Sequence, residues 1–250
     1  MKRSTDRLLT THAGSLVRPR EIVAIMRQVE AGQPYDAAAL NRLLTPAVAT
    51  VVRQQAEVGI DIPSDGEFGK RGWTAYVAER LGGLADYRAY AHTVIEALNH
   101  ALEGIPEDRV RYHICWGSQN VPHTWDVPLA DIVDLVLRVK AQAYSIEAAN
   151  PRHEHEWEVW QHTTLPDGKN LIPGVISHAT NVVEHPRLVA QRLQNFARCV
   201  GRENVIAGTD CGFSQNWNLA RAHPEVQWAK LEALVEGARL ASQQLWGRAA

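Results

Sequence analysis

Long apolar runs are missing from this 250-residue chain. No stretch approaches the roughly 18 consecutive apolar residues of a membrane-spanning helix. Blocks of like charge are missing too, and the formal net charge is only -2. Nothing in that balance marks a nucleic-acid surface or a polybasic membrane patch. Cysteine is scarce, with three residues, Cys115, Cys199 and Cys211. A small odd number argues against a disulfide framework and leaves metal binding, catalysis or burial for each. The opening MKRSTDRLLTTHAGSL is basic but has no apolar signal core, so a cytoplasmic protein is expected. Apolar residues at 45% and charged residues at 22% are ordinary for a folded domain.

What is present is alternation. Arg7–Ala13 reads as a strand, Pro19–Ala31 and Ala37–Val58 as helices, and Ile60–Pro63 as a short strand. Trp73–Leu81 and Asp86–Leu102 read as helices. From Val110 onward the order is regular. Strands are expected at Val110–Trp116, Ala143–Ala148, Leu171–Ile176 and Val205–Thr209, and helices at Leu129–Val139, His153–Trp160, Pro186–Val200 and Pro224–Trp246. Such alternation implies a parallel sheet covered by helices. No glycine-rich dinucleotide fingerprint follows the first strand, so a TIM-type (β/α) barrel fits better than a Rossmann fold. About six strands are recognisable where a full barrel has eight. The expectation is a single domain over residues 1–250, a reduced or incomplete barrel.

The clearest local feature is YHICWG at Tyr112–Gly117. His113 and Cys115 are two apart on a strand, so their side chains share a face. They lie at its carboxyl end, where barrel sites are built. Cys211 in GTDCGF follows a later strand on the same side. Glu147 ends an apolar strand, where a buried carboxylate needs a partner and a cation is one. Imidazole and thiolate are a natural zinc pair. Two thiolates and a carboxylate would bring a Zn²⁺ site to a net charge of about -1, poor for making hydroxide but suited to holding a thiol as thiolate. Spacing alone leaves core cysteines and metal ligands both open. Cys199, mid-helix in NFARCVG, reads as core. The tract His153-Glu154-His155-Glu156 lacks the HExxH order and reads as a solvated helix start. His162, His178, His185 and His223 lie by loops or helix starts and receive no role.

The strings TTHAGSLVRP, DIPSDGE, VRYHICWG, IEAANPRHEHEWEVW, LIPGVI and ENVIAGTDCGF resemble the cobalamin-independent methionine synthase family. They are closest to its short single-barrel branch, which includes epoxyalkane–coenzyme M transferases. The resemblance runs over about Met1–Leu84 and Tyr87–Trp246. It implies zinc held by His113, Cys115, Glu147 and Cys211, with Glu147 as the exchangeable, catalytic ligand. It implies that Ala13, Gly14 and Ser15 hold the amino-acid thiol and that Glu67 receives its ammonium group. Without it, Ser15 reads as an ordinary turn and Glu67 as a cap or loop charge. The implied reaction is alkyl transfer to a thiolate, with homocysteine as thiol and a methyl or other alkyl donor. Addition of a thiol to an epoxide, a non-catalytic zinc-binding remnant, and a metal-free barrel of the uroporphyrinogen decarboxylase type are the alternatives.

The family carries further chain between the two blocks, spanning its third and fourth strands and an Asp-containing IDxP-like strand end. No such string occurs here, and the join falls near Gly82–Tyr87. Loss of two strands would expose edges at Ile60–Pro63 and Val110–Trp116. The expectation is therefore an open or smaller barrel, with a homo-oligomer as one means of covering those edges.

Overall fold

The computed structural model describes residues 2–30, 33–68, 87–117, 126–216, 219–220 and 222–247. The expected helix at Trp73–Leu81 and most of the join near Gly82–Tyr87 lie outside the described residues.

Five strands form one parallel sheet: β1 (Leu9–Thr10), β2 (Arg111–His113), β3 (Ala143–Ile146), β4 (Asn170–Ile176) and β5 (Ile206–Thr209), in the order β1-β5-β4-β3-β2. Their registers pair Leu9 with Ile206, His113 with Ser145, Ser145 with Ile172 and Gly174 with Gly208. The expected strand at Ile60–Pro63 shrinks to a single parallel bridge, Ile62 to Thr11, on the outer side of β1. Asp61 is drawn aside there, accepting from the Thr10 amide at 2.9 Å and from the Arg7 guanidinium at 2.7 Å. All seven residues of β4 and all four of β5 are buried, as befits strands covered on both faces.

The sheet is strongly curled. Flat, five strands would hold β1 and β2 about 19 Å apart, four gaps of about 4.8 Å. An arginine side chain cannot cross that distance. Yet Arg111 on β2 donates from Nη1 to Oγ1 of Thr11, the residue after β1, at 2.8 Å. Inside the curl, Leu9, Ala143, Ile172 and Ile206 form a small cluster joined by Ile62. The larger core lies between the sheet and the helices.

Among the described residues those helices are α1 (Arg20–Glu30), α2 (Ala37–Glu57), α3 (Tyr87–Ala101), α4 (Val133–Val136), α5 (Pro186–Val200) and α6 (Pro224–Trp246). Asp36 caps α2, accepting from the Ala39 amide at 2.9 Å. His185 and His223, left without a role by the sequence, cap α5 and α6. Each accepts through Nδ1 from the amide two residues on, with proline opening the helix. The expected helix Leu129–Val139 is broken into a 3₁₀ turn at Leu129–Asp131 and the single turn α4. The segment at Glu154–Gln161 is 3₁₀. A short antiparallel pair not expected from the sequence, β6 (Ser214–Asn216) with β7 (Leu219–Ala220), follows β5.

One buried ion pair ties the sheet to its cover. Lys230 Nζ on α6 lies 2.8 Å from Glu184 Oε2, and Glu184 Oε1 accepts from the Ser177 amide just after β4 at 2.8 Å.

Candidate metal centre

The pleat puts Arg111 and His113 of β2 on one face, and β3 offers Ser145 opposite His113. Ser145 Oγ lies 3.1 Å from His113 Nδ1. This leaves Nε2, which is buried and has no hydrogen-bond partner among the described residues. After His113 one further ladder bond, Ile114 amide to Ser145 carbonyl, is made, and the chain then turns away through Gly117 at φ 89°. The expected strand to Trp116 therefore stops early, and Cys115 sits on the turn. The Gly117 amide donates to Cys115 Sγ at 3.3 Å, which favours the thiolate.

Cys211 arrives from the other side of the curl, on the turn after β5. Its position depends on a close approach of two loops. A Cβ on Gly212 would come within 2.2 Å of the Ser15 nitrogen, and one on Gly14 within 2.7 Å of the Gly212 nitrogen. The Ala13 amide donates to Thr209 Oγ1 at 3.0 Å and the Ser214 amide to the Ser15 carbonyl at 3.2 Å. The loop of Ala13, Gly14 and Ser15 is thus laced to the loop bearing Cys211.

The outcome is a group in which one ligand atom each of His113, Cys115 and Cys211 lies within 4.8 Å of the others. Tetrahedral zinc with N and S ligands separates those atoms by about 3.5 Å. A contraction on the order of 1 Å suffices, and an imidazole nitrogen without a protein partner fits a ligand's role.

Glu147 is next to this group rather than within it. It is buried, and its Oε1 accepts from the Trp116 amide at 3.3 Å and its Oε2 from Asn150 Nδ2 at 2.8 Å. Burial, then the nearby charges of Cys115 and Asp210, push its pKa up to about 9. The Arg152 guanidinium, 3.5 Å from Oε2, does not offset that. Asp210, a residue of GTDCGF with no expected role, ties the two halves together. It accepts from the Ala148 and Ala149 amides at 2.7 Å each and from Asn150 Nδ2 at 3.0 Å. Burial outweighs these bonds and raises its pKa to about 6. It fits only because β4 has glycine there, since a Cβ on Gly174 would lie 2.4 Å from the Asp210 Cα.

The HEHE tract is not a solvated helix start. His153 and Glu156 are buried and joined Nδ1 to Oε2 at 2.8 Å, with Asp126 Oδ2 3.4 Å from His153 Nε2. The His153 ring packs on Trp116 at 4.4 Å between centroids, bracing the turn that carries Cys115. His155 and Glu158 are exposed, and Glu154 pairs with Arg192 at 2.7 Å. Burial of a polar tract is not legible from order alone, because Trp116 lies on another element.

Ser15 and Glu67 do meet. Ser15 Oγ donates to Glu67 Oε2 at 2.8 Å. Glu67 has φ 54°, a left-handed conformation uncommon for a non-glycine residue, and Arg18 Nη2 donates to its carbonyl at 2.6 Å. His12 and Arg111 complete this side. His12 is buried, its Nε2 lies 3.3 Å from Ser64 Oγ, and burial with the charge of Arg111 lowers its pKa to about 4.

No protein-family profile matches the chain. It is 38% identical over 106 residues to a methionine synthase of Sulfolobus acidocaldarius, spanning 42% of this chain and 30% of that protein. It is 23% identical over 176 residues to the 2-hydroxypropyl-CoM lyase of Xanthobacter autotrophicus, spanning 60% of this chain and 45% of that protein. The chain thus spans less than half the length of these curated relatives. Among solved structures, a B12-independent methionine synthase from Shewanella sp. W3-18-1 in complex with selenomethionine superposes with TM-score 0.68 at 18% identity, covering 97% of this chain and 100% of that one. A putative vitamin-B12-independent methionine synthase from Listeria monocytogenes gives 0.59 at 16% identity, with 97% of this chain and 100% of that one covered. Fold and site together define a parallel α/β protein with a His-Cys-Cys group at the carboxyl end of its strands. The chain is similar in part of its sequence to methionine synthases and to a 2-hydroxypropyl-CoM lyase, and it shares the fold of B12-independent methionine synthases.

Proposed function

We propose that this protein transfers a methyl or other alkyl group to a substrate thiol, with zinc held by His113, Cys115 and Cys211 and with Glu147 as the exchangeable fourth ligand. The observation that carries this reading is the convergence of one imidazole and two thiols within 4.8 Å. When bound, zinc supplies a positive centre that holds a thiol as thiolate at neutral pH. Ser145 Oγ, 3.1 Å from His113 Nδ1, is placed to accept from Nδ1–H, which would leave the Nε2 lone pair for the metal. The Gly117 amide favours the charged form of Cys115. Glu147, when off the cluster, lies where burial and Cys115 favour its protonated form, so it is suited to take the proton that the thiol loses. Ala13, Gly14 and Ser15 orient the substrate, and the Glu67 carboxylate receives its ammonium group, with homocysteine as the expected thiol. Methionine formation in the cytoplasm is the setting this reading implies. No described helix is long and apolar enough to cross a membrane. A homo-oligomer covering the outer edge of β2 is part of the same reading.

Similarity to a 2-hydroxypropyl-CoM lyase favours a second reading, in which the thiolate opens an epoxide. The test begins with metal. Elemental analysis with light scattering on one sample should find about one zinc per folded chain, lost in Cys211→Ser. Zinc-loaded protein is then given homocysteine or 2-mercaptoethanesulfonate with a methyl donor or an epoxide, which separates the two readings. Well-folded wild type without zinc sinks both.

A further inference from the structure

Arg111 is left over from this account. It precedes His113 by two residues on β2, so its side chain leaves the same face of the strand, about 6.6 Å lower. Its Nη1 donates to Thr11 Oγ1 at 2.8 Å, which shows the guanidinium crossing the interior toward the chain that leads into Ala13, Gly14 and Ser15. Among the described residues, Thr11 is its one hydrogen-bond partner, and no carboxylate lies within ion-pair distance. The charge of Glu67, whose carboxylate accepts from Ser15, acts on it. A half-buried guanidinium with five donors, one described hydrogen bond and no described carboxylate within ion-pair distance is costly unless an anion arrives from elsewhere. One pleat step matches the span from a thiol sulfur to an anionic group about two to four carbons away.

We propose that Arg111 is the specificity-determining residue for the thiol: its guanidinium receives the anionic end group, a carboxylate or a sulfonate, of a substrate whose sulfur sits at the His113–Cys115–Cys211 group. This rests on the thiol-transfer reading above and adds the charge that the thiol must carry. With the Glu67 carboxylate at the same interior, a dipolar amino-acid thiol finds a partner for each of its charges. A sulfonate thiol finds one at Arg111 alone.

The experiment is calorimetric titration of zinc-loaded wild type, Arg111→Gln and Arg111→Lys with homocysteine, 2-mercaptoethanesulfonate and neutral 2-mercaptoethanol. Wild type should bind the two anionic thiols about 10- to 100-fold more tightly than 2-mercaptoethanol, the worth of a charge-assisted contact. Arg111→Gln should erase that gap while leaving 2-mercaptoethanol binding within about 2-fold. Arg111→Lys keeps the charge but not the fork, so it should narrow the gap and leave 2-mercaptoethanol untouched. It carries the test if Arg111→Gln fails to fold. Equal weakening of all three thiols, or a gap that neither variant changes, overturns the proposal and leaves Arg111 as a crosspiece of the curled sheet. If no thiol binds zinc-loaded wild type, the thiol-transfer reading itself has failed. If thiols bind without regard to charge, only the role of Arg111 has.

Discussion

Ser145→Ala tests whether the candidate metal centre is built as proposed. Ser145 is buried on β3, directly across from His113, and its hydroxyl lies 3.1 Å from His113 Nδ1. The substitution removes one oxygen and creates almost no cavity, so it is close to a pure deletion of the contact that orients the imidazole. Loss of a buried hydrogen-bond partner costs about 1–3 kcal/mol. Because that cost falls on the conformation that offers Nε2, it should reappear as zinc affinity weaker by about 10- to 100-fold. The assay is competition for zinc against a chelator of known affinity at fixed pH, with thermal unfolding alongside. A control is Ser242→Ala. Ser242 Oγ accepts from the Leu8 amide at 2.8 Å and donates to the Ala238 carbonyl at 2.7 Å, far from the site. It should lower stability by about 1 kcal/mol and leave zinc affinity alone. Unchanged zinc affinity in well-folded Ser145→Ala would refute the assignment of His113 Nε2 as a ligand held by Ser145.

Gly212→Ala forces a Cβ to within 2.2 Å of the Ser15 nitrogen. It should part the two loops, destabilise the fold by about 2–4 kcal/mol in urea unfolding and cut zinc retention together with thiol binding. His12 gives a pH signature. Its folded pKa, about 4, lies below the ordinary 6.5, so the unfolded chain binds more protons between these values. Its contribution is intact above about pH 6.5 and is lost as pH falls toward 4, roughly 3 kcal/mol in all. Urea titrations of wild type and His12→Asn from pH 7.5 to 4.5 should show the difference shrinking across that window; parallel curves would count against a buried neutral His12. Lys230→Met leaves Glu184 buried beside the Ser177 amide without its cation. A stability loss of about 3–5 kcal/mol is expected by chemical denaturation, and Lys230→Met with Glu184→Leu should recover most of it.

Much of this molecule was legible in its residues because the relevant physics is local. Pro186–Val200 and Pro224–Trp246 are helices over the expected residues, since proline at the first position and an apolar stripe act within a few residues. The strand cores at Ala143–Ile146 and Ile206–Thr209 lie inside the expected runs. Leu129–Val139 went the other way: its composition suits a helix, but packing broke it into shorter turns. Ile60–Pro63 has a strand's composition but makes only one bridge, because Asp61 spends its carboxylate on Thr10 and Arg7.

The sequence by itself determined that His113 and Cys115 share one strand end, because a strand repeats every two residues whatever surrounds it. It also determined that strands alternate with helices, and so that the sheet is parallel. Only the tertiary structure decided that Cys211 joins them, since that depends on strand order, on the curl that brings β1 toward β2, and on Gly14 and Gly212 letting two backbones touch. It also decided that Glu147 stands beside the group, that Asp210 ties the loops together, and that His153 is a brace under Trp116. Periodicity is set by neighbours along the chain. Distances between residues far apart in sequence are set by packing, which no single segment encodes.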